Sequence, residues 1–385
     1  MIAKFDKATM LTALIPAMYT VSGKKTMPAA QGVHLTCTDD QRCMIQTCDL
    51  ENGLKGIRTF IDCEVEESGS CVINAQRLLQ IVKTMPDGII KISVDPSYKT
   101  IIESGLSHFD IKSLPGSDFP SLPEMTGERG FAIPQFLFKK FVNKILFAIG
   151  QDDARPVFSG AYFQIKGDRI ILVSCDGNRL AYCEKKMDIV NKNRDGSELN
   201  LKFIIPGKTL VEVLKMVKDT EEEIEIRMLS RRYVLFKIGQ FMFFSSTIDA
   251  DYIDYTRIIP KEHKISFNVQ ASELRCALER SSLIVEDRLA GTIRSFVKFT
   301  IDECLSISTN SANGNVYDEI SIEKLYGDSI VIGFNCKFIL DVFRVCEDVK
   351  TNMSFIDPIR GVVIEQKGED NEKYLYFVMP IRMNQ

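Results

Sequence analysis

Cysteine and histidine are the residues of this chain whose side chains could bind a metal ion or act as nucleophiles. There are 11 cysteines and 3 histidines among 385 residues. Zinc sites need these residues in closely spaced pairs, and the five cysteines between positions 37 and 71 form no CxxC pair. None of the histidines lies in an HExxH motif. We therefore predict no metal site and no cofactor, and we expect the thiols to be reduced core or surface residues.

Sequence motifs of catalysis and nucleotide binding are missing too. The chain has no GxGxxG, no GxxxxGK[ST] phosphate-binding loop and no GxSxG. The sequence therefore predicts no catalytic residue, and a function in binding or assembly is favoured over an enzyme.

Positive charge is the clearest chemical pattern, because basic residues gather on predicted helices. The net charge of the chain is −4, whereas its six predicted helices together carry +7. Such charge runs are usually solvated helix faces. If the helices instead face one common space, that space would suit a polyanion such as duplex DNA. Binding of this kind would be sensitive to salt and independent of sequence.

The helices that carry these charges recur three times along the chain. A first amphipathic helix is predicted to begin after Asp6, again after Pro134 and again after Gln270. Apolar residues are spaced i, i+3, i+4, i+7 and i+8 in each copy, except that the last two positions of the third copy are Ser281 and Ser282. This spacing places them on one face of a helix. Copied units are typical of rings, arcs and arrays.

A second helix recurs in the same order. It is predicted to begin after Asn74, Pro206 and Asn335, which are residue types that start helices. Its apolar positions are Leu78, Leu79, Ile81 and Val82 in the first copy, Leu210, Val211, Val213 and Leu214 in the second, and Ile339, Leu340, Val342 and Phe343 in the third.

Strands are predicted between the helices, so each repeat is expected to be an α+β domain. Examples are 160–165, 169–174, 233–238, 297–301 and 374–379. Linkers are predicted near 114–130 and 250–263. These give three domains of ordinary size, at 1–125, 126–260 and 261–385.

The sequence has neither a predicted membrane span nor a predicted signal peptide. No apolar run approaches the 18 or more residues of a membrane span, and the first ten residues lack the apolar core of a signal peptide. We expect a cytoplasmic protein without a membrane partner.

The dimensions of helices suggest how many repeats could surround a duplex. Six helices about 10 Å across leave a hole of about 9 Å, which is too narrow, whereas twelve leave a hole of about 28 Å. Three repeats per chain thus suggest a head-to-tail dimer closed by rotation.

Several segments make the chain resemble the bacterial β sliding clamps, the processivity subunits of the replicative DNA polymerase. The resemblance covers nearly all residues, and its most specific parts are DGNRLA at 176–181 and VMPIR at 378–382. Further segments are SLPGSDFPSLP at 113–123, RPVFSGAYF at 155–163, DADYIDYTRIIP at 249–260 and GFNCKFILDVF at 333–343. The resemblance implies three tandem clamp domains and a ring-shaped head-to-tail dimer. In that ring, helices line a central hole, sheets lie outside, and double-stranded DNA is encircled without any chemical reaction.

The resemblance also implies a surface groove that binds short linear peptides of the replicative polymerase, the clamp loader and repair proteins. Carried over onto this chain, its deep apolar part is Phe158, Cys175, Gly177, Asn178, Arg179, Leu180, Ile253, Arg257, Ile258, Phe377 and Met379. The adjoining part is Arg155, Asn335, Phe338, Ile359, Pro380, Ile381 and Arg382. Three of its arginines are expected to bind peptide carbonyls or acidic side chains, namely Arg155, Arg179 and Arg257. Cys175, Asn178 and Ile253 depart from the residues usual in the family, which would alter the preferred peptide.

DNA contacts and the dimer seam carry over as well. Lys24 and Lys25 lie in a loop where the family has a basic residue that contacts DNA, and the helix candidates are Lys139, Lys140, Lys144, Lys208, Lys215 and Lys218. The seam would join the first domain of one chain to the third domain of the other, with Phe109, Leu283 and Ile284 as candidates. Each of these three could equally be an internal core residue.

Two other classes of function stay open from the residues alone. An enzyme on a repeated α+β scaffold would show nucleotide hydrolysis or bound metal. A scaffold that binds peptides but no DNA would fit the repeats, although the cationic helices argue against it.

Overall fold

The structure is a computed structural model, and it describes residues 1–23, 27–51, 53–125, 127, 129–151, 155–285, 296–311 and 314–383. Its helices and strands follow the predicted threefold pattern. The first third contains β1 (Ile2–Asp6), α1 (Lys7–Ala17), β2 (Gly32–Thr38), β3 (Arg42–Asp49), β4 (Lys55–Asp62), β5 (Glu64–Glu67), β6 (Gly69–Asn74), α2 (Ala75–Thr84), β7 (Ile89–Val94), β8 (Lys99–Ser104), β9 (Ser107–Lys112) and β10 (Leu114–Pro115).

The middle third repeats the order of two helices, each preceded by a strand. It contains β11 (Arg129–Pro134), α3 (Gln135–Ile145), β12 (Gly160–Lys166), β13 (Arg169–Cys175), β14 (Arg179–Lys186), β15 (Val190–Asn191), β16 (Asn200–Pro206), α4 (Gly207–Leu214), β17 (Glu223–Met228), β18 (Tyr233–Ile238), β19 (Phe241–Ser246) and the short α5 (Tyr255–Ile258).

The last third repeats it once more. It contains β20 (Ile265–Gln270), α6 (Ala271–Ser282), β21 (Val297–Ile301), β22 (Cys304–Ser311), β23 (Gly314–Ser321), β24 (Glu323–Tyr326), β25 (Ile330–Phe334), α7 (Cys336–Val345), β26 (Lys350–Phe355), β27 (Val362–Lys367) and β28 (Glu372–Val378).

All six predicted helices are confirmed, each within a residue of its predicted start. Their first turns show why: the side chains of Asp6, Asn74 and Asn335 accept hydrogen bonds from backbone N–H groups that have no partner within the helix. One predicted core position is wrong. Val211 of α4 is exposed, whereas its neighbours Leu210 and Val213 are buried.

The strands pair antiparallel in four sheets of the described residues. Their orders are β5-β1-β7-β8-β9, β10-β6-β2-β3-β4-β19-β18-β17-β11-β15, β16-β12-β13-β14-β28-β27-β26-β20-β24 and β23-β22-β21-β25. The two largest sheets each combine strands of two repeats, through the pairs β4–β19 and β14–β28.

This sharing of strands explains how the chain divides into compact units. One unit is 1–139, 190–199 and 208–249, and the other is 140–189, 200–207 and 250–385. The first contains the five-stranded and ten-stranded sheets, and the second contains the nine-stranded and four-stranded sheets. The second repeat contributes strands to both units, so the boundaries of the compact units differ from those of the repeats.

Candidate functional site

A row of four apolar residues runs across the middle of the nine-stranded sheet. Cys175 on β13 pairs with Leu180 on β14, Leu180 pairs with Phe377 on β28, and Phe377 pairs with Val363 on β27. Residues that pair directly across antiparallel strands point to the same face of a sheet. All four are buried in one apolar cluster, against which Phe158 and Ile253 also pack. The structure thus brings together five of the predicted groove residues.

Aromatic residues of the second linker cover part of this face. Tyr252 stacks on Tyr162 of β12 with ring centroids 5.0 Å apart, and Tyr255 lies 5.8 Å from Tyr182 of β14. Burial raises the pKa of the Tyr252 hydroxyl, so it stays neutral. Our sequence prediction missed these tyrosines, although the closely spaced aromatics of the segment DADYIDY were a usable signal.

Apolar side chains remain exposed at the edge of the row. Met379 is 42% exposed, Ile359 is 72% exposed and Ile258 is 37% exposed. The backbone N–H of Met379 donates to the carbonyl of Asn178 at 2.8 Å, which fixes the end of β28 against the turn before β14. Exposed apolar residues beside a buried apolar cluster are typical of a surface that binds another molecule.

Glycine is required at two positions around the row. Gly361 precedes β27, and a Cβ built there would lie 2.3 Å from the Phe377 ring and 2.6 Å from the Val378 carbonyl oxygen. Gly177 has a φ of 91°, in the left-handed region that favours glycine. A Cβ at Gly177 would lie 2.9 Å from Arg155, whose guanidinium covers the ring of Phe158 at 4.4 Å.

Arg179 is held by contacts within the protein. Its side chain is buried and pairs with Asp176 at 3.0 Å and with Asp341 of α7 at 2.8 Å. It also donates to the carbonyl of Phe147 and lies 4.6 Å from the ring of Phe338. Three of its five N–H donors are thus used within the protein. It positions the start of β14 against α7.

The other predicted groove residues lie in α5, at the start of α7 and after β28. Arg257 is exposed and pairs with Asp254 at 2.8 Å. Asn335 caps α7, and the N–H of Ile381 donates to Gly333 at 2.8 Å. Pro380 is partly buried and Arg382 is exposed.

Cys175 is a poor nucleophile in this setting. Burial raises the pKa of its thiol and outweighs the hydrogen bond that the N–H of Gly177 donates to its sulfur at 3.4 Å, which acts in the opposite direction. Because the thiolate is the reactive form, we expect Cys175 to act by packing.

The predicted DNA-binding lysines have different surroundings. Lys24 and Lys25 lie outside the described residues. Lys208 and Lys218 are exposed. Lys139 pairs with Asp219 at 2.6 Å, and Lys215 pairs with Glu212 at 2.7 Å.

Lys140 and Lys144 instead belong to an ionic cluster, in which both ammonium groups pair with the Glu347 carboxylate, at 3.3 Å and 3.4 Å. The buried Glu372 carboxylate accepts from Lys140 at 2.7 Å, Lys185 at 2.9 Å and Tyr374 at 2.6 Å. Lys144 is buried and donates to the carbonyl of Val345 at 2.6 Å. The ammonium group of Lys144 therefore does not belong to an exposed helix face, and a contact of Lys144 with DNA stays a prediction.

The predicted seam residues are exposed to different degrees. Phe109 is 39% exposed on β9, which forms an edge of the five-stranded sheet. Leu283 directly follows α6 and is 80% exposed, whereas Ile284 is partly buried. Within the described part of the chain, no helix is long and apolar enough to span a membrane. No group of three or more acidic, histidine or cysteine side chains that could hold a metal ion is found there either.

Comparison with known proteins identifies the family. Models of the DNA polymerase III beta subunit match in three parts: the N-terminal domain over 1–123, the central domain over 132–254 and the C-terminal domain over 256–382. The chain is 28% identical over 386 residues to the beta sliding clamp of Bacillus subtilis (strain 168), with 98% of each chain covered. It is 26% identical over 378 residues to that of Staphylococcus aureus (strain Mu50 / ATCC 700699), with 97% of each covered. The crystal structure of the DNA polymerase sliding clamp from Bacillus subtilis aligns over 100% of both chains, with a TM-score of 0.90 and 26% identity. Because the three family models together span most of the sequence, the chain belongs to the DNA polymerase III beta subunit family, the sliding clamps of DNA replication.

Proposed function

We propose that two copies of this chain close head to tail into a ring around duplex DNA, and that the ring tethers its partners without catalysing a reaction. Its domains would be 1–125, 126–260 and 261–385, and it would work in the cytoplasm. The exposed side chains of Phe109 and Leu283, together with the open sheet edges β9 and β23, support a seam between the first and third domains. Closure by rotation joins two different surfaces in this way.

The experiment that tests this function uses the whole protein and its clamp loader. On a nicked circular plasmid, the loaded protein should stay bound through gel filtration. After the plasmid is cut once, it should be lost by sliding off the ends. Equal retention on circular and linear DNA would contradict encirclement.

We further propose that the groove binds short peptides of the replicative polymerase, the clamp loader and repair proteins. The single observation that carries this proposal is the buried row from Cys175 to Val363 bordered by the exposed Met379 and Ile359. Apolar anchors of a peptide could cover this edge, and the flexible thioether of methionine can adapt to different ligands.

The substitution Met379→Ala is expected to weaken peptide binding about tenfold, because a buried methionine contact contributes about 1.5–3 kcal/mol. Fluorescence anisotropy of a labelled peptide from the polymerase would measure the loss. Met125→Ala is a matched control, because Met125 is 43% exposed and Met379 is 42% exposed. Affinity within twofold of wild type would reject this groove. Phe377 is less suitable for the test because it is buried, and its truncation would also disturb the sheet.

For DNA we propose the exposed helix lysines Lys208 and Lys218 as contacts, with Lys139 and Lys215 beside them. The double substitution Lys208→Glu and Lys218→Glu should weaken binding to a duplex. The slope of log affinity against log salt should fall by roughly two, which is about one per lost phosphate contact. A titration over several salt concentrations would measure it.

A matched control for the DNA test reverses the charge of two exposed lysines at strand ends, through the double substitution Lys166→Glu and Lys367→Glu. If both double variants lower the salt slope equally, net charge alone would account for binding. Charge reversal of Lys140 and Lys144 is avoided here because it would break the ion pairs of Lys140 with Glu372 and of Lys144 with Glu347.

A further inference from the structure

The ten-stranded sheet contains the same row of paired residues as the groove. Cys48 on β3 pairs with Gly56 on β4, Gly56 pairs with Phe244 on β19, and Phe244 pairs with Leu235 on β18. This order repeats the row Cys175, Leu180, Phe377 and Val363 of the nine-stranded sheet. We call the face around Cys48, Gly56, Phe244 and Leu235 the first junction.

Polar contacts confirm that the two rows occupy equivalent places. The hydroxyl of Thr47, next to Cys48, donates at 2.8 Å to the carbonyl of Ala17, the last residue of α1. The hydroxyl of Ser174, next to Cys175, donates at 2.5 Å to the carbonyl of Ile145, the last residue of α3. The match therefore extends from the strands to the helix ends behind them.

The two linkers also reach their sheets in the same way. Phe119 of the first linker stacks on His34 of β2 with centroids 4.9 Å apart. Tyr252 of the second linker stacks on Tyr162 of β12 at 5.0 Å. His34 and Tyr162 are equivalent, since each lies two residues after the glycine that begins its strand.

The first junction differs from the groove in the size of its side chains. Gly56 stands where the groove has Leu180, and a Cβ on Gly56 would lie 2.5 Å from a methyl carbon of Leu122. Ala30 stands where the groove has Phe158, in equivalent short 3-10 turns. The small residues Gly56 and Ala30 thus leave space at the first junction, and the linker side chain Leu122 fills the space beside Gly56.

Larger side chains close the edge that is open in the groove. Tyr233 precedes Leu235 by two residues, as Gly361 precedes Val363, and it packs against the first-junction cluster. Leu54 is buried where the groove has the exposed Asn178. The N–H of Ser246 donates to the Leu54 carbonyl at 2.7 Å, just as that of Met379 donates to Asn178.

We propose that the first junction is a second, closed copy of the groove whose ligand is this chain's own segment 117–123, anchored by Phe119 and Leu122. Both anchors are buried in one cluster with Cys48, Leu54 and Phe244. The ligand class of the site is an extended segment that carries an aromatic residue and, three positions later, a leucine. Because the linker is covalently attached, it outcompetes free peptides, so the chain offers partners one groove instead of two. The equivalence of the first junction to a peptide-binding groove rests on the proposed peptide function. The occupation of the first junction by the linker does not depend on that function.

The test uses a peptide in trans and the absence of tryptophan from the chain. The probe is a synthetic octapeptide with the sequence of residues 117–124 in which the phenylalanine is replaced by tryptophan, so that all tryptophan fluorescence comes from the peptide. It is titrated into wild type, into the Leu122→Ala variant and into the Phe119→Ala, Leu122→Ala double variant. The Leu122→Ala single variant keeps the stacking of Phe119 on His34. It replaces the double variant in the test if circular dichroism shows that the double variant is unfolded.

We expect the variants to gain a probe site that wild type lacks. A control peptide with alanine in place of its leucine should bind that site about tenfold more weakly, as expected for a lost leucine contact. Probe bound by the groove contributes the same fluorescence change in all three proteins. This result would therefore stand even if the Met379→Ala test rejected the groove as a peptide site. Equal probe binding by wild type and both variants, or equal affinity for the two peptides, would overturn the proposal.

Discussion

Replacing Glu372 with glutamine is expected to lower the free energy of unfolding by about 3 kcal/mol at pH 7, as for other buried charges that lose their partner. The Glu372 side chain is 3% exposed and accepts from both Lys140 and Lys185. Glutamine keeps the volume but removes the carboxylate that the two ammonium groups share, and Lys140 keeps only its ion pair with Glu347 at 3.3 Å. Urea unfolding followed by circular dichroism would measure the loss.

The effect of Glu372→Gln should depend on pH in a defined direction. Burial opposes ionisation of Glu372, but hydrogen bonds from Lys140, Tyr374 and Lys185 outweigh it and hold the pKa of the carboxyl below its usual 4.5. A carboxyl with a lowered pKa stabilises the fold fully above its unfolded pKa, and the stabilisation is lost as pH falls through the folded pKa. The difference between wild type and variant should therefore be constant above about pH 5 and shrink below about pH 4.

A control for Glu372→Gln is Glu365→Gln on the adjacent strand β27. Glu365 pairs with Lys373 at 3.5 Å and is 39% exposed, so its loss should cost less than about 1 kcal/mol. If the two variants lose the same stability, or if the Glu372 difference persists at low pH, the ionic cluster does not have the role assigned to it.

Replacing Gly361 with alanine is expected to destabilise the protein by about 2 kcal/mol and to weaken peptide binding at least tenfold. The added methyl group would overlap the Phe377 ring and the Val378 carbonyl oxygen. Rotation of the ring relieves only the first overlap, so the backbone at the end of β28 must also move. That movement shifts Met379, one of the exposed apolar residues of the groove.

Peptide anisotropy together with urea unfolding would separate the two effects of Gly361→Ala. Gly23→Ala is the control, because a Cβ there would meet nothing within 4 Å. Unchanged peptide affinity in a Gly361→Ala protein that has lost stability would show that the Phe377 ring does not shape the groove.

Much of the fold could be predicted from the sequence because helix patterns are local. The spacing of apolar residues and the capping residues Asp6, Asn74 and Asn335 indicate helices without any knowledge of tertiary contacts. The pairing of β4 with β19, and of β14 with β28, could not be predicted in this way. These pairs join strands of different repeats, and no local pattern specifies a distant partner.

The candidate site shows the same limit. The resemblance supplied the groove residues, and the structure brings Phe158, Cys175, Leu180, Ile253 and Phe377 into one cluster. The resemblance could not show that Arg179 pairs with Asp176 and Asp341, since Asp341 is 162 positions away in the sequence. Lys144 was assigned to an exposed face by spacing and charge, but tertiary packing buries it. Charge patterns predict where ionic groups cluster, whereas their partners depend on long-range contacts.

The shared ten-stranded sheet has a consequence for synthesis on the ribosome. Strand β4 is completed by β19, and the adjoining contact between Leu54 and Ser246 spans 192 positions. At about 5–20 residues per second, the nascent chain exposes the edge of β4 for roughly 10–40 s before its partner strand is made. An unpaired strand edge can pair with another chain, so adjacent ribosomes on one messenger would hold such edges close together. Slow translation between codons 62 and 246 should therefore favour aggregation of nascent chains, whereas a chaperone that covers β4 should suppress it.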